Sequence, residues 1–255
     1  TPDSFSDGGS FFDTNSAVNH AMQLIQDGAD ILDFGGESTR PGAVPLSATD
    51  ELNRTIPVIT AIREKNPDVL ISIDTYKSEV AKGAIDAGAD IVNDISGFTM
   101  DNNMPNIISN LNVPVILMHM KGTPTNMQND PQYNDLMGEI SSFFLNQINL
   151  AKSAGIKTEK IILDPGIGFG KTVNHNFTLI QKLNEFCELG YPVLIGPSRK
   201  AFIGITLDLP PKDRVEGTAA AVSAGILNGA RIVRVHDVKE MKRVVTITEK
   251  IRTAA

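Results

Sequence analysis

A chain of 255 residues, 41% of them hydrophobic and 21% charged, has the composition of a soluble globular protein and fits one α/β barrel without a second domain. One cysteine, Cys187, excludes an internal disulfide, and no apolar run approaches the ~20 residues that cross a bilayer, so a cytoplasmic enzyme without membrane contact is expected. The net charge of −7 argues against general nucleic-acid binding but leaves room for a local basic pocket.

Thr1-Pro2-Asp3-Ser4-Phe5-Ser6-Asp7-Gly8-Gly9 is loop chemistry with no strand feeding it, so a strand is expected upstream of Thr1. In residues 16–27, Val18, Ala21, Met22 and Ile25 fall on one helical face, and Gly28 stops the helix. Residues 30–34, 69–74, 91–94, 113–118, 160–164, 192–196 and 231–235 read as seven short apolar strands with amphipathic segments between them. No linker or low-complexity stretch divides residues 1–255, which read as a single domain. This alternation implies parallel strands.

A weak repeat points to one repeated unit: Gly28-Ala29-Asp30-Ile31-Leu32-Asp33, Gly88-Ala89-Asp90-Ile91-Val92-Asn93 and Gly229-Ala230-Arg231-Ile232-Val233-Arg234. In each, a helix stops on glycine and a buried strand ends on a polar residue. Seven such units after an orphan loop predict an α/β fold, a (β/α)8 TIM barrel whose first strand precedes Thr1, with a doubly wound open sheet as the alternative. Asp33, Asp74, Asn93, His119, Asp164, Ser198, Arg234 and His236 fall at strand ends, which a barrel gathers around one mouth.

The densest signal is Asp164-Pro165-Gly166-Ile167-Gly168-Phe169-Gly170-Lys171, a strand spilling into three glycines. It fits neither the P-loop nor the dinucleotide fingerprint, and Asp-Pro-Gly alone is ordinary turn chemistry. In a barrel mouth its glycines read as room for a flat ring under Phe169.

Asp74, Asn93 and Asp164 are short hydrogen-bonding groups suited to a flat ligand with several donors, such as a pterin or purine edge. The competing reading makes Asp74 and Asp94 helix N-caps. Arg40, Lys200, Arg234 and His236 form a basic set. The last three follow the final barrel strands, where a diphosphate is expected. Arg199 and Arg231 receive no role, and the histidines lack metal-ligand spacing. Residues 1–9 and 35–42 have the composition of loops that order over a substrate.

Together these pieces closely resemble the dihydropteroate synthases of the pterin-binding family. The matching stretches are residues 1–9, 33–42, 72–75, 93–97, 118–120, 164–171, 198–200 and 234–237, in the family order. The resemblance implies condensation of 6-hydroxymethyl-7,8-dihydropterin diphosphate with p-aminobenzoate by an SN1-like course, in a sulfonamide-sensitive, Mg²⁺-dependent homodimer of folate synthesis. By matching position it places the pterin on Asp74, Asn93, Asp164 and Lys200, lined by Ile95, Met118 and Phe169. It places the diphosphate on Arg234 and His236, and p-aminobenzoate on Phe5, Thr39, Arg40, Pro41 and Lys200. Asp74, Lys200, Arg234 and His236 are the residues it makes catalytic. The family's metal-contacting Asn belongs to the strand upstream of Thr1, so no metal ligand is expected within residues 1–255. Ala201 departs from the family, where many members carry Ser.

Overall fold

A computed structural model describes residues 14–39 and 43–254. The elements run α1 (Thr14–Gln26), β1 (Ile31–Phe34), α2 (Ala48–Lys65), β2 (Leu70–Asp74), α3 (Ser78–Asp86), β3 (Ile91–Asp94), α4 (Met104–Leu111), β4 (Val115–Met118) and α5 (Leu136–Ser153). They continue through β5 (Ile161–Asp164), α6 (Val173–Gln181), α7 (Asn184–Cys187), β6 (Leu194–Ile195), α8 (Ala201–Leu207), α9 (Val215–Leu227), β7 (Ile232–Val233) and α10 (Val238–Thr253). All seven expected strands are present. No helix among the described residues is long and apolar enough to cross a membrane.

The Gly-Ala repeat works as a helix stop three times over. Gly28, Gly88 and Gly229 take φ values of 101°, 112° and 108°, a left-handed turn that glycine enters without a Cβ penalty. The alanine that follows then donates back to a helix carbonyl five residues earlier, at 2.9 Å in each case: Ala29 to Leu24, Ala89 to Ala84, Ala230 to Gly225. This Schellman closure satisfies the last turn and aims the chain into the next strand.

Strands β1 to β5 pair in parallel in sequential order, and β6 pairs with β7. A bridge between Leu163 and Val193, with the Leu163 amide donating to Pro192 at 2.9 Å, joins the two sheets. The order never reverses, which disposes of the doubly wound alternative, because that fold turns at a switch point. Alternation along the strands divides their side chains. Leu32, Ile71, Val92, Leu117, Leu163 and Val193 enter the large core under the helices. Ile31, Ile91, Ile116, Ile162, Leu194 and Ile232 form a separate inner cluster. One cluster shared by β1 and β7 requires the sheet to curl round on itself. Among the described residues no strand pairs β7 with β1, so the expected ring of eight is not closed; the strand expected before Thr1 lies outside them.

The N-cap reading of the two aspartates fails for different reasons. Helix α3 begins beyond Lys77, leaving Asp74 uninvolved. Asp94 is fully buried and accepts from the Ser96 amide (2.8 Å), the Ser96 hydroxyl (2.7 Å) and the Phe98 amide (2.8 Å), so it holds a turn rather than a helix.

Candidate active site

Two residues beyond each inner apolar residue, the same face of the strand reaches the C-terminal mouth. Ile31 is thus followed by Asp33, Ile91 by Asn93, Ile116 by Met118, Ile162 by Asp164 and Ile232 by Arg234. Arg234 Nε donates to Asp33 Oδ2 at 2.6 Å and its Nη2 to Asp74 Oδ2 at 3.3 Å, while Asn93 Nδ2 lies 3.4 Å from Asp33 Oδ2. The mouth of β7 is therefore tied to those of β1 and β2 by charge. Asp33 and Asp74 side chains are 16% and 12% exposed against 47% for Arg234, so the guanidinium keeps an outer face open to solvent.

Two carboxylates share this one cation. Burial first, and then the neighbouring charge of Asp33, raise the Asp74 carboxyl well above the usual range, with Arg234 opposing. Asp164 is also raised by burial, against the pull of the Gly166 amide (2.8 Å from Oδ1) and the charges of Lys200, Lys171 and Arg234. Asp33 Oδ1 and Asn93 Oδ1 are buried with no hydrogen-bond partner among the described residues.

Lys200 Nζ donates to Ile167 O at 2.8 Å and sits 4.1 Å above the Phe169 ring. Burial, then the charge of Arg234, lowers its pKa to about 7. Phe169 packs with Ile95, Met118 and Met127 in a small apolar cluster of its own. A cavity of about 430 Å³ opens beside it, lined by Met127, Phe169, Lys200, Ala201, Phe202 and Ile205 among others. That is room for a small aromatic molecule. His236 meets Ser198 twice, its amide donating to Oγ at 3.1 Å and Nδ1 lying 2.9 Å from the same atom.

Thus Asp74, Asn93 and Arg234 converge, Lys200 joins Phe169, and Ile95 and Met118 line the same wall. Thr39 is half-buried in the segment after β1. Phe5, Arg40 and Pro41 lie outside the described residues. Sequence reasoning missed Asp33 as a partner of Arg234, although the repeat held the clue: Asp33, Asn93 and Arg234 are its sixth residues, and these are the groups that meet. The loop of residues 119–133, polar and Met-containing, is legible in the sequence as a flank of the mouth without chemistry; in the structure Met127 enters the apolar cluster and Gln128 donates to Gly168 O at 2.6 Å.

The glycines after Asp164 do not leave room for a ring. A Cβ on Gly166 would lie 2.0 Å from His119 O, one on Gly170 2.4 Å from Lys121 O, and one on Gly168 2.8 Å from Lys200 Cδ. The space belongs to the β4 loop and to Lys200.

Lys171 is 4% exposed, and its ammonium reaches His119 Nδ1 (3.1 Å), His119 O (3.4 Å) and Phe169 O (2.9 Å). Burial lowers its pKa from 10.5 to about 7, with Asp164 pulling the other way. Between those values the unfolded chain binds more protons than the folded one, so this lysine makes stability rise with pH, by at most about 1.4 kcal/mol per unit. Lys171→Met should remove that slope: the unfolding free energy of the variant minus that of the parent should fall steadily from pH 7 to 10. A difference constant across that range would refute the assignment.

Comparison with known proteins agrees with this geometry. The chain matches the family described as pterin binding enzyme over residues 1–236. It is 50% identical over 252 residues to the dihydropteroate synthase of Synechocystis sp., covering 98% of this chain and 87% of the relative. It is 44% identical over 254 residues to that of Escherichia coli, covering 100% and 89%. The Yersinia pestis dihydropteroate synthase, solved with a sulfonamide drug complex, superposes with a TM-score of 0.96 at 43% identity, covering 99% of this chain and 91% of that one. The Xanthomonas albilineans enzyme, solved with 4-aminobenzoic acid, gives 0.90 at 39% identity over 98% and 89%. With its parallel strands curling to one polar mouth, the chain belongs to the pterin binding enzyme family, among the dihydropteroate synthases.

Proposed function

We propose that this chain condenses 6-hydroxymethyl-7,8-dihydropterin diphosphate with p-aminobenzoate, giving 7,8-dihydropteroate and pyrophosphate. The observation that carries the reading is the pair of buried acceptors without donors, Asp33 Oδ1 and Asn93 Oδ1, beside Asp74 and under a half-exposed Arg234. A pteridine edge supplies N–H donors to such acceptors, and a diphosphate supplies the anion for the guanidinium's open face.

In this reading Asp74, Asn93, Asp164 and Lys200 hold the pterin against Ile95, Met118 and Phe169, and Arg234 and His236 hold the diphosphate. Phe5, Thr39, Arg40, Pro41 and Lys200 receive p-aminobenzoate, with the cavity beside Lys200 at their disposal. The C–O bond to diphosphate breaks with its electron pair leaving on the phosphate oxygen. The arylamine nitrogen then bonds the methylene carbon and sheds a proton. Arg234 and His236 stabilise the leaving anion, while the carboxylates offset positive charge on the methylene.

Mg²⁺ and a cytoplasmic homodimer belong to the same reading. Among the described residues no group of three His, Cys, Asp or Glu side chains is placed to hold a metal ion. Its expected carrier is the diphosphate itself.

The test supplies both substrates with Mg²⁺ and follows dihydropteroate and pyrophosphate together. Absence of both products sinks the reading. A sulfonamide should inhibit in competition with p-aminobenzoate; turnover indifferent to saturating sulfonamide would overturn that arm.

A further inference from the structure

Arg199 has no place in the reading above, yet the fold spends several groups on it. It is not glycine, and its φ is 56°, in the left-handed region where a side chain is disfavoured. Such strain persists only where the surroundings over-determine it. The Arg199 amide donates to Thr218 Oγ1 at 3.1 Å, and its carbonyl accepts from Arg214 Nη1 at 2.9 Å. Its guanidinium closes a two-pronged pair on Asp237: Nε donates to Oδ2 at 3.0 Å and Nη2 donates to Oδ1. The two side chains are 20% and 12% exposed, so water screens the pair only in part.

Asp237 is itself unusual. It occupies the N-cap of α10, where aspartate ordinarily accepts from the first turn of the helix, and its side chain makes no capping bond. Its carboxylate is turned to Arg199 instead. One residue earlier on each loop, Ser198 meets His236 through both the amide and Nδ1. The loops that follow β6 and β7 are therefore joined by two successive rungs, Ser198 to His236 and Arg199 to Asp237. Lys200 sits immediately beyond one end of the ladder.

We propose that Arg199 and Asp237 are positioning residues, a clamp that fixes the spacing of Lys200 and His236 so that one bound pterin diphosphate meets both. The clamp rests on the function proposed above. Neither clamp residue touches substrate; each acts through its neighbour.

The test is a double-mutant cycle of Arg199→Lys, which keeps the charge and loses the planar fork, and Asp237→Asn, which keeps the shape and loses the charge. Each single change should lower kcat/KM for the pterin diphosphate about ten- to a hundredfold, as misplacement of reacting groups does. The double variant should be no worse than the poorer single. Additive losses, or singles with parental kcat/KM, would overturn the clamp. A second readout does not need turnover: in Arg199→Lys, which keeps both charges, the His236 ring, followed by NMR, should lose its fixed contact with Ser198 and gain mobility as the rung loosens. A His236 ring as ordered as in the parent would also overturn it. Failure of the parent chain to make dihydropteroate sinks the proposed function instead, and leaves the clamp to be decided by the order of the His236 ring.

Discussion

Arg234→Met should lower kcat/KM for the pterin diphosphate by about 10²- to 10³-fold, the usual cost of removing one electrostatic contact to developing charge. The loss has two sources. A cation facing the leaving diphosphate disappears, and Asp33 and Asp74 lose the group that holds them together at 2.6 and 3.3 Å. Burial and the charge of Asp33 already raise Asp74, and Arg234 is the group that opposes them. Without it the Asp74 pKa climbs further, so the acid limb of the pH-rate profile should move to higher pH in the variant. The sign follows because a cation favours the ionised carboxylate, and its removal favours the protonated form. Arg234→Lys should fall between parent and Met, since an ammonium keeps the charge but does not fork between two carboxylates. A Met variant within threefold of the parent, with an unmoved acid limb, would remove Arg234 from the catalytic set.

The same residue shows how much of the site the sequence carried. Arg234 stood out as a basic group at a strand end, and the alternation that placed it there is a local property of Ile232-Val233-Arg234. Its partner was a different matter. That Arg234 meets Asp33, 201 positions away, depends on the sheet curling until its last strand faces its first, and no local pattern reports that. Strand existence was legible for the same local reasons, and strand length was not. Residues 192–196 and 231–235 shrink to Leu194–Ile195 and Ile232–Val233, because a strand ends where its pairing partner does. Arg199 illustrates the limit most clearly. Its left-handed backbone and its hold on Asp237 are consequences of two loops meeting, and as a string Ser-Arg-Lys offers only a basic tripeptide. Lys171 likewise looks like a solvated end to a glycine run until the β4 loop covers it.

The glycines after Asp164 are special because of the β4 loop packed against them rather than a ring, and that packing has a measurable consequence. Gly166→Ala should cost at least about 3 kcal/mol of stability, since two penalties act at once. With φ at 68°, an alanine carries left-handed strain of roughly 1–2 kcal/mol. Its methyl would also sit 2.0 Å from His119 O and 3.1 Å from the His119 carbonyl carbon, and a backbone carbonyl has no rotamer by which to move aside. Relief would require the β4 and β5 loops to separate, which stretches the Gly166 amide from Asp164 Oδ1 and disturbs Met118, 3.3 Å from the new methyl. Gly190→Ala is the control: its φ is 84°, and a Cβ there meets nothing within 4 Å, so it bears the strain without the collision. Chemical denaturation of both variants should show Gly166→Ala losing at least about 1–2 kcal/mol more than Gly190→Ala, together with weaker pterin binding in the first alone. Equal losses would mean that the β4 loop yields freely, and that the tight approach of His119 to this turn is not what reserves position 166 for glycine.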